Sequence, residues 1–433
     1  MRYINFDNAA STPALMPVLK ELQEFMGWYA GVHRGTGYKS LLSTQVYDDC
    51  HQIIGRYVKA DLDKNAVILL KNTTEAINKL AYRLSLSAKD IVISTVMEHH
   101  SNDLPWRKQA VVKYAEVDEK GQLDIADIEK KLKQNYPRVK LLTVTGASNV
   151  TGHINDIHYL AELAHAFKAR IMVDAAQLIP HQQIEIKENH DPAHIDYIAF
   201  SGHKIYAPFG VGVLIGPRDT FLAGEPEYVG GGTVNMVTRE NVFWSDLPDR
   251  EEAGSPNLMG AFALAKTLQY IDEIGMEHLS SYEGELVTYA LQELKKVPGI
   301  SIYGSKPRVG VISFNIKGIN HALLGAILCY EAGMGVRNGC FCAQGYVRKL
   351  LGEKEDIKYL SAYKKKEIHR LPGMVRISLA PYNTHAEIDI LVKYLKKIAQ
   401  NIKHYQKSYA YSPQQCSYLP LNMESGFVKR YPI

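Results

Sequence analysis

The chain has no apolar run of membrane-spanning length, no block of like charge and no internal repeat. Its 50 Lys and Arg residues against 46 Asp and Glu leave a formal charge of +4, spread along 433 residues without a basic stripe. Neither nucleic acid nor a membrane surface is therefore an expected partner. The opening residues, Met1-Arg-Tyr-Ile-Asn-Phe-Asp-Asn8, are too polar for the apolar segment of a secretory signal, so a cytoplasmic location is expected. Cysteines are few and odd in number, Cys50, Cys329, Cys340, Cys342 and Cys416, which favours reduced thiols over a disulfide framework. A zinc set is also missing: Cys340 and Cys342 have no second close cysteine pair and no His-x-x-x-His, so no metal is expected. No Walker-type loop occurs, and Gly210-Val-Gly212 leads into an apolar strand rather than a helix.

What remains is a globular composition, 46% hydrophobic and 22% charged, in a chain too long for one ordinary core. Apolar runs at Val67–Leu70, Ile91–Ile93, Val111–Val117, Leu141–Val144, Ile171–Val173, Ile195–Phe200 and Val211–Ile215 read as strands. Helical patterns separate several of them, notably Asp124–Leu132 and Ile157–Phe167, and this alternation predicts a mostly parallel sheet covered by helices on both faces. Ligands of such sheets gather beyond the carboxyl ends of the strands. Polar groups recur there: Asn72-Thr73-Thr74, Glu98-His99-His100, Ser148-Asn149, Asp174-Ala-Ala-Gln177 and Ser201-Gly-His203-Lys204.

Each group has a chemical use and an ordinary one. Asn72 with Glu75 has capping-box spacing, which leaves Thr73 and Thr74 at a helix N-terminus suited to a phosphate. Asp174 follows an apolar strand, where a partner inside a site, such as a cationic ring nitrogen, suits it better than water does. His99 offers a flat imidazole to a flat ligand, or simply a hydrogen-bonded loop. Lys204 follows Gly202 at a strand end and is either a surface-turn lysine or a desolvated nucleophile.

Beyond Gly224 the periodicity fails through a long loop that carries Gly230-Gly-Gly232 and ends in Glu251-Glu-Ala-Gly-Ser255-Pro-Asn257. Helices are predicted over Leu258–Ile274, over His278–Lys296 and, from the capping box Thr384-His-Ala-Glu387, through Ala399. Strands are predicted at Val309–Ile316 and Val375–Leu379. Between them Val336-Arg337-Asn-Gly-Cys340-Phe-Cys342-Ala-Gln344 reads as a turn in which a nearby guanidinium favours a thiolate. The charged stretch Lys349–Pro372 reads as a solvated excursion, and the tail after Tyr411 has too little periodicity to place.

Together these motifs, with Asp7-Asn-Ala-Ala, His33-Arg34-Gly and Arg376-Ile-Ser-Leu-Ala-Pro-Tyr-Asn-Thr384, resemble the class V branch of fold-type I pyridoxal-phosphate enzymes. The resemblance is greatest to Suf-type cysteine desulfurases and selenocysteine lyases, and it runs from about Tyr3 to Ala399. It implies a seven-stranded, mostly parallel sheet in a large domain, 16–270. A smaller α+β domain, 1–15 with 271–405, would carry the thiol loop, and 406–433 would form a tail.

The resemblance also assigns residues. Lys204 would hold pyridoxal phosphate covalently, Asp174 would pair with the ring nitrogen, Gln177 with the ring oxygen, and His99 would stack on the ring. Thr73, Thr74, Ser201 and His203 would bind the phosphate, with Ser255 reaching a neighbouring subunit's site in a homodimer. Arg376, helped by Asn149 and Arg337, would hold the carboxylate of L-cysteine. Cys342 would take the substrate sulfur as a persulfide, leaving alanine, and pass it to an acceptor protein. Cys340-Phe341 and Gln344-Gly345 depart from the residues usual around that thiol. Other activities of the class, such as selenocysteine lysis, C–S lysis, aminotransfer or molybdenum-cofactor sulfuration, share the fold, and so does a non-catalytic binding protein.

Overall fold

The computed structural model describes residues 3–33, 35–353, 356–365, 367 and 370–422. Arg34, parts of the two charged clusters in 349–372 and the tail beyond 422 lie outside the described residues. Seven strands build the central sheet: β1 Asn65–Leu70, β2 Ile91–Thr95, β3 Val111–Ala115, β4 Val139–Thr145, β5 Arg170–Asp174, β6 Tyr197–Ser201 and β7 Gly212–Pro217. Their order is β1-β7-β6-β5-β4-β2-β3. All neighbours are parallel except β7, which runs antiparallel to both β1 and β6.

The inner strands are mostly apolar because both faces are covered, and the two-residue period sorts their side chains between two cores. Leu69, Ile93, Val144, Val173, Phe200 and Ile215 face one core with residues of helices Met16–Met26, Tyr38–Tyr57, Ile157–Ala166 and Leu258–Ile274. Ile68, Val92, Leu141, Met172, Ala199 and Leu214 face the other, with helix Thr73–Arg83 and Trp106. The expected fold class, a mostly parallel sheet between helices, is the one observed.

A second sheet is antiparallel, with strands β8 Ile300–Tyr303, β9 Val311–Ile316, β10 Arg337–Gly339 and β11 Met374–Ser378 in the order β8-β9-β11-β10. It shares a third core with helices Met276–Leu294, His321–Ala332 and His385–Gln400. The reciprocal capping box at Thr384 and Glu387 is present as expected. Chain residues Ile4–Asn5 pair with Met334–Gly335, which brings the start of the chain to this sheet.

The structure adds local order at four places. Arg337–Gly339 is an edge strand rather than a turn, because β11 supplies the backbone partners. The long loop after Gly224 contains an antiparallel hairpin, Val234–Val237 with Val242–Trp244, and the tail forms another, Tyr409–Ser412 with Ser417–Pro420. The charged excursion includes helix Asp356–Lys364. Among the described residues no helix is long and apolar enough to cross a membrane.

Candidate active site

The carboxyl ends of β1, β2, β4, β5 and β6 open on one cavity of about 340 Å³. After β1 the Asn72 side chain accepts from the Glu75 N–H at 3.0 Å and caps helix Thr73–Arg83. The box is not closed in the expected way, since the Glu75 carboxylate turns to the Lys71 N–H. A Cβ at Gly212 would lie 2.4 Å from the Asn72 backbone, so only glycine lets β7 start beside this helix end. The Thr73 N–H donates to Ser201 Oγ at 2.8 Å, and the two hydroxyls are 2.6 Å apart. Thr74 Oγ1 lies 2.7 Å from Ser101 Oγ, which in turn lies 3.0 Å from His99 Nδ1.

Asp174, the last residue of β5, is 4% exposed, and its Oδ1 accepts from the Ala176 N–H at 3.0 Å. Burial raises its carboxyl above the ordinary range, opposed by the charge of Lys204. Lys204 shows the reciprocal effect: desolvation lowers its amine, and Asp174 partly restores it. The structure therefore favours the desolvated amine over a surface-turn lysine. Burial, followed by Lys204, His100 and Arg376, pushes His99 down to about 3, so its ring is neutral. Gln177 is buried, its Nε2 donating to the Ala9 carbonyl at 2.6 Å. The His203 carbonyl accepts from the Thr12 N–H at 2.9 Å, tying the start of the chain to the lysine turn.

The second sheet contributes the opposite wall. Arg376 on β11 is 3% exposed; it donates to the Asn149 carbonyl at 2.9 Å and to Asp7 Oδ1 at 3.2 Å. Its guanidinium lies 5.0 Å from the Phe341 ring centre, and its Nε has no hydrogen-bond partner. Burial pulls it down to about 10 despite Asp7. Arg337 is its direct cross-strand partner and meets the same carboxylate, Nη2 to Asp7 Oδ2 at 2.9 Å. Two like charges opposite one another across a sheet are unfavourable, and Asp7 offsets them.

Phe341 and Cys342 both have positive φ, 52° and 55°, an uncommon backbone for non-glycine residues that turns the exposed Cys342 toward the cavity. The loop is anchored by Asn149 Nδ2 donating to the Phe341 carbonyl at 2.6 Å and by the His100 N–H donating to the Cys342 carbonyl at 2.7 Å. Cys340 is half-buried, its Sγ 3.6 Å from the Pro372 carbonyl, and burial raises its thiol.

Every site residue expected from the sequence lines this cavity except Ser255: Lys204, Asp174, Gln177, His99, Thr73, Thr74, Ser201, His203, Asn149, Arg337, Arg376 and Cys342 are all there. Ser255 lines a separate cavity with His33, Tyr47, Gly232, Asp249 and Glu252. Sequence reasoning missed Ser101 and Thr145, and it read Asn72 only as a cap. Ser101 was within sight, two residues after His99 and at the end of the same strand loop.

The chain matches the class-V aminotransferase family over residues 4–391 and belongs to it. Its relatives within that family include proteins named as cysteine desulfurases. It is 35% identical over 402 residues to the cysteine desulfurase of Pectobacterium carotovorum, covering 90% of this chain and 92% of that one. A probable cysteine desulfurase of Halalkalibacterium halodurans is 31% identical over 410 residues, 93% of this chain and 94% of its own. Among solved structures, the apo cysteine desulfurase of Thermococcus onnurineus superposes with a TM-score of 0.81 at 30% identity, over 92% of this chain and 95% of that chain.

Proposed function

We propose that the chain is a pyridoxal-phosphate-dependent cysteine desulfurase that takes sulfur from L-cysteine onto Cys342 and releases L-alanine. The observation that carries this reading is the convergence of Lys204, Asp174, Arg376 and the Cys342 thiol on one cavity. The donor set suits the cofactor: a desolvated amine, a buried carboxylate for a ring nitrogen, a neutral imidazole, and the clustered hydroxyls of Thr73, Thr74 and Ser201 at a helix start for a phosphate. Pyridoxal phosphate, when bound, supplies a ring that accepts the electron pair set free at the substrate's α-carbon.

The protein's own groups do the rest. Asp174 would keep a proton on the ring nitrogen, and Gln177 and His203 would hold ring and phosphate. Arg376, with its free Nε, pairs with the substrate carboxylate, and Asn149 and Arg337 fix its orientation. The amine of Lys204 carries a proton to and from the substrate carbon. Cys342 as thiolate attacks the substrate sulfur: an S–S bond forms, the C–S bond breaks, and its electron pair stays with the three-carbon fragment. Protonation of that fragment gives alanine, and an acceptor thiol then removes the sulfur from Cys342.

A homodimer is part of this reading. Ser255 sits away from the cavity that holds Lys204, and the hairpin that follows Gly230-Gly-Gly232 exposes the apolar Met236, Val237, Val242 and Phe243. The proposed domains, 16–270 and 1–15 with 271–405, are supported by the third core around the second sheet, and a cytoplasmic location is part of the proposal. The test is to add L-cysteine to purified protein and measure alanine and sulfane sulfur. One alanine per sulfur, with a persulfide mapped to Cys342, is expected; alanine formation unchanged in Cys342→Ala would overturn the mechanism.

A further inference from the structure

At the amino ends of the large sheet, opposite the cavity, two histidines and an aspartate converge. Asp196 precedes β6 and is 7% exposed; its Oδ2 accepts from the Ile171 N–H of β5 at 2.8 Å. His165 Nε2 lies 2.9 Å from Asp196 Oδ2, and His194 Nε2 lies 3.4 Å from Oδ1. The two rings stack, 4.2 Å between centres at 21°. Their three ligand atoms lie within 4.8 Å of one another.

The far side of each ring fixes its proton. His165 Nδ1 is 2.6 Å from the Pro192 carbonyl, and His194 Nδ1 is 2.7 Å from the Asp191 carbonyl. A carbonyl only accepts, so both Nδ1 atoms carry hydrogen. In the neutral tautomer each Nε2 then turns a lone pair toward the Asp196 carboxylate, and the three ligand atoms lie within 4.8 Å of one another. A divalent cation satisfies all three with neutral rings. Arg170, whose Nε is 3.9 Å from Asp196 Oδ1, is engaged elsewhere by Asp219 Oδ2 at 3.1 Å and Thr220 Oγ1 at 2.8 Å.

We propose that His165, His194 and Asp196 form a site for a divalent transition ion, zinc foremost, that clamps residues 191–196 to helix Ile157–Ala166 and the starts of β5 and β6. Two imidazoles and a carboxylate are a zinc-type donor set, and ring nitrogens tied to carbonyls are the usual support of metal-binding histidines. Metal–ligand bonds of about 2.1 Å in a tetrahedron set donors about 3.4 Å apart; His194 Nε2 already lies 3.4 Å from Asp196 Oδ1, and His165 Nε2 lies closer, 2.9 Å from Oδ2. The rings are 19% and 17% exposed, which leaves water a fourth position. His165 is too far in sequence from the His194-x-Asp196 pair for spacing to reveal the set.

The test uses full-length, untagged protein stripped by a chelator. Competition against a chromophoric chelator should show one more equivalent of zinc bound by wild type than by His165→Gln or His194→Gln, and zinc should raise Tm by a few degrees in wild type alone. A second measurement needs no variant: zinc should slow diethyl pyrocarbonate modification of His165 and His194 at least about fivefold, while the largely exposed His190 reacts as before. Equal zinc binding in wild type and both variants, or unprotected His165 and His194, overturns the proposal.

Discussion

Replacing Arg376 by lysine keeps a cation at the proposed carboxylate position but removes the planar fork. The side chain is 3% exposed, and its unpartnered Nε marks unused donor capacity. A hydrogen bond to a charged group contributes roughly 1.5–3 kcal/mol, and about 1.4 kcal/mol is a factor of ten, so kcat/KM for L-cysteine should fall roughly 10- to 150-fold. Arg337 makes the contrast. It meets the same aspartate across the sheet, yet its side chain is 51% exposed, where an ion pair contributes at most about 1 kcal/mol, so Arg337→Ala should cost about fivefold or less. The assay is steady-state alanine production over a range of L-cysteine concentrations, with Tm and circular dichroism to establish that both variants fold. A larger loss in Arg337→Ala than in Arg376→Lys refutes the assignment, and so does an unchanged kcat/KM in Arg376→Lys.

Cys342→Ser should abolish persulfide formation while Cys340→Ser retains it, because only Cys342 is exposed at the cavity; mass spectrometry after L-cysteine treatment distinguishes the two. Glu251→Gln should destabilise the protein by about 3 kcal/mol in urea, since it leaves buried Arg83, now 3.2 Å from the carboxylate, without that anion and Lys79, now at 3.0 Å, with only the Glu227 carboxylate at 3.8 Å. A loss below about 1 kcal/mol contradicts that account. Gly212→Ala should lower the urea midpoint and loosen phosphate binding together, because the added Cβ pushes on the Asn72 backbone at the helix start. Burial raises Glu98 from 4.5 to about 8, so its contribution to stability is complete below pH 4.5 and is lost as pH rises toward 8. Relative to Glu98→Gln, wild type should lose up to about 1.4 kcal/mol per pH unit across that window; parallel pH profiles of the two proteins rule it out.

Much of this site was legible in the sequence because strands buried on both faces announce themselves as unbroken apolar runs, and the polar residues that end them fall on one edge of the sheet. The direction of β7 was not legible: Val211–Ile215 is equally apolar whichever way it runs, and only its pairing with β1 and β6 decides. Arg337–Gly339 was misread because its glycine and asparagine are turn residues by propensity, while an edge strand of three residues is held by its neighbour. The hairpin at 234–244 escaped because its apolar residues are largely exposed and leave no alternation to follow. Ser255 lines a cavity apart from the one that holds Lys204, and its sequence neighbours carry no signal of that separation.

Asp7 gives the start of the chain an unexpected standing. Its carboxylate is held on a short segment that bridges Ser378 and pairs with Met334–Gly335, and there it serves two guanidinium groups at once. A substrate carboxylate arriving at Arg376 would relieve the same repulsion that Asp7 now relieves alone. Docking of the amino-terminal segment and binding of an anion are thus linked equilibria, each altering the other by the same factor. Small carboxylates that cannot react should therefore change the protease sensitivity of the first ten residues as well as compete with L-cysteine.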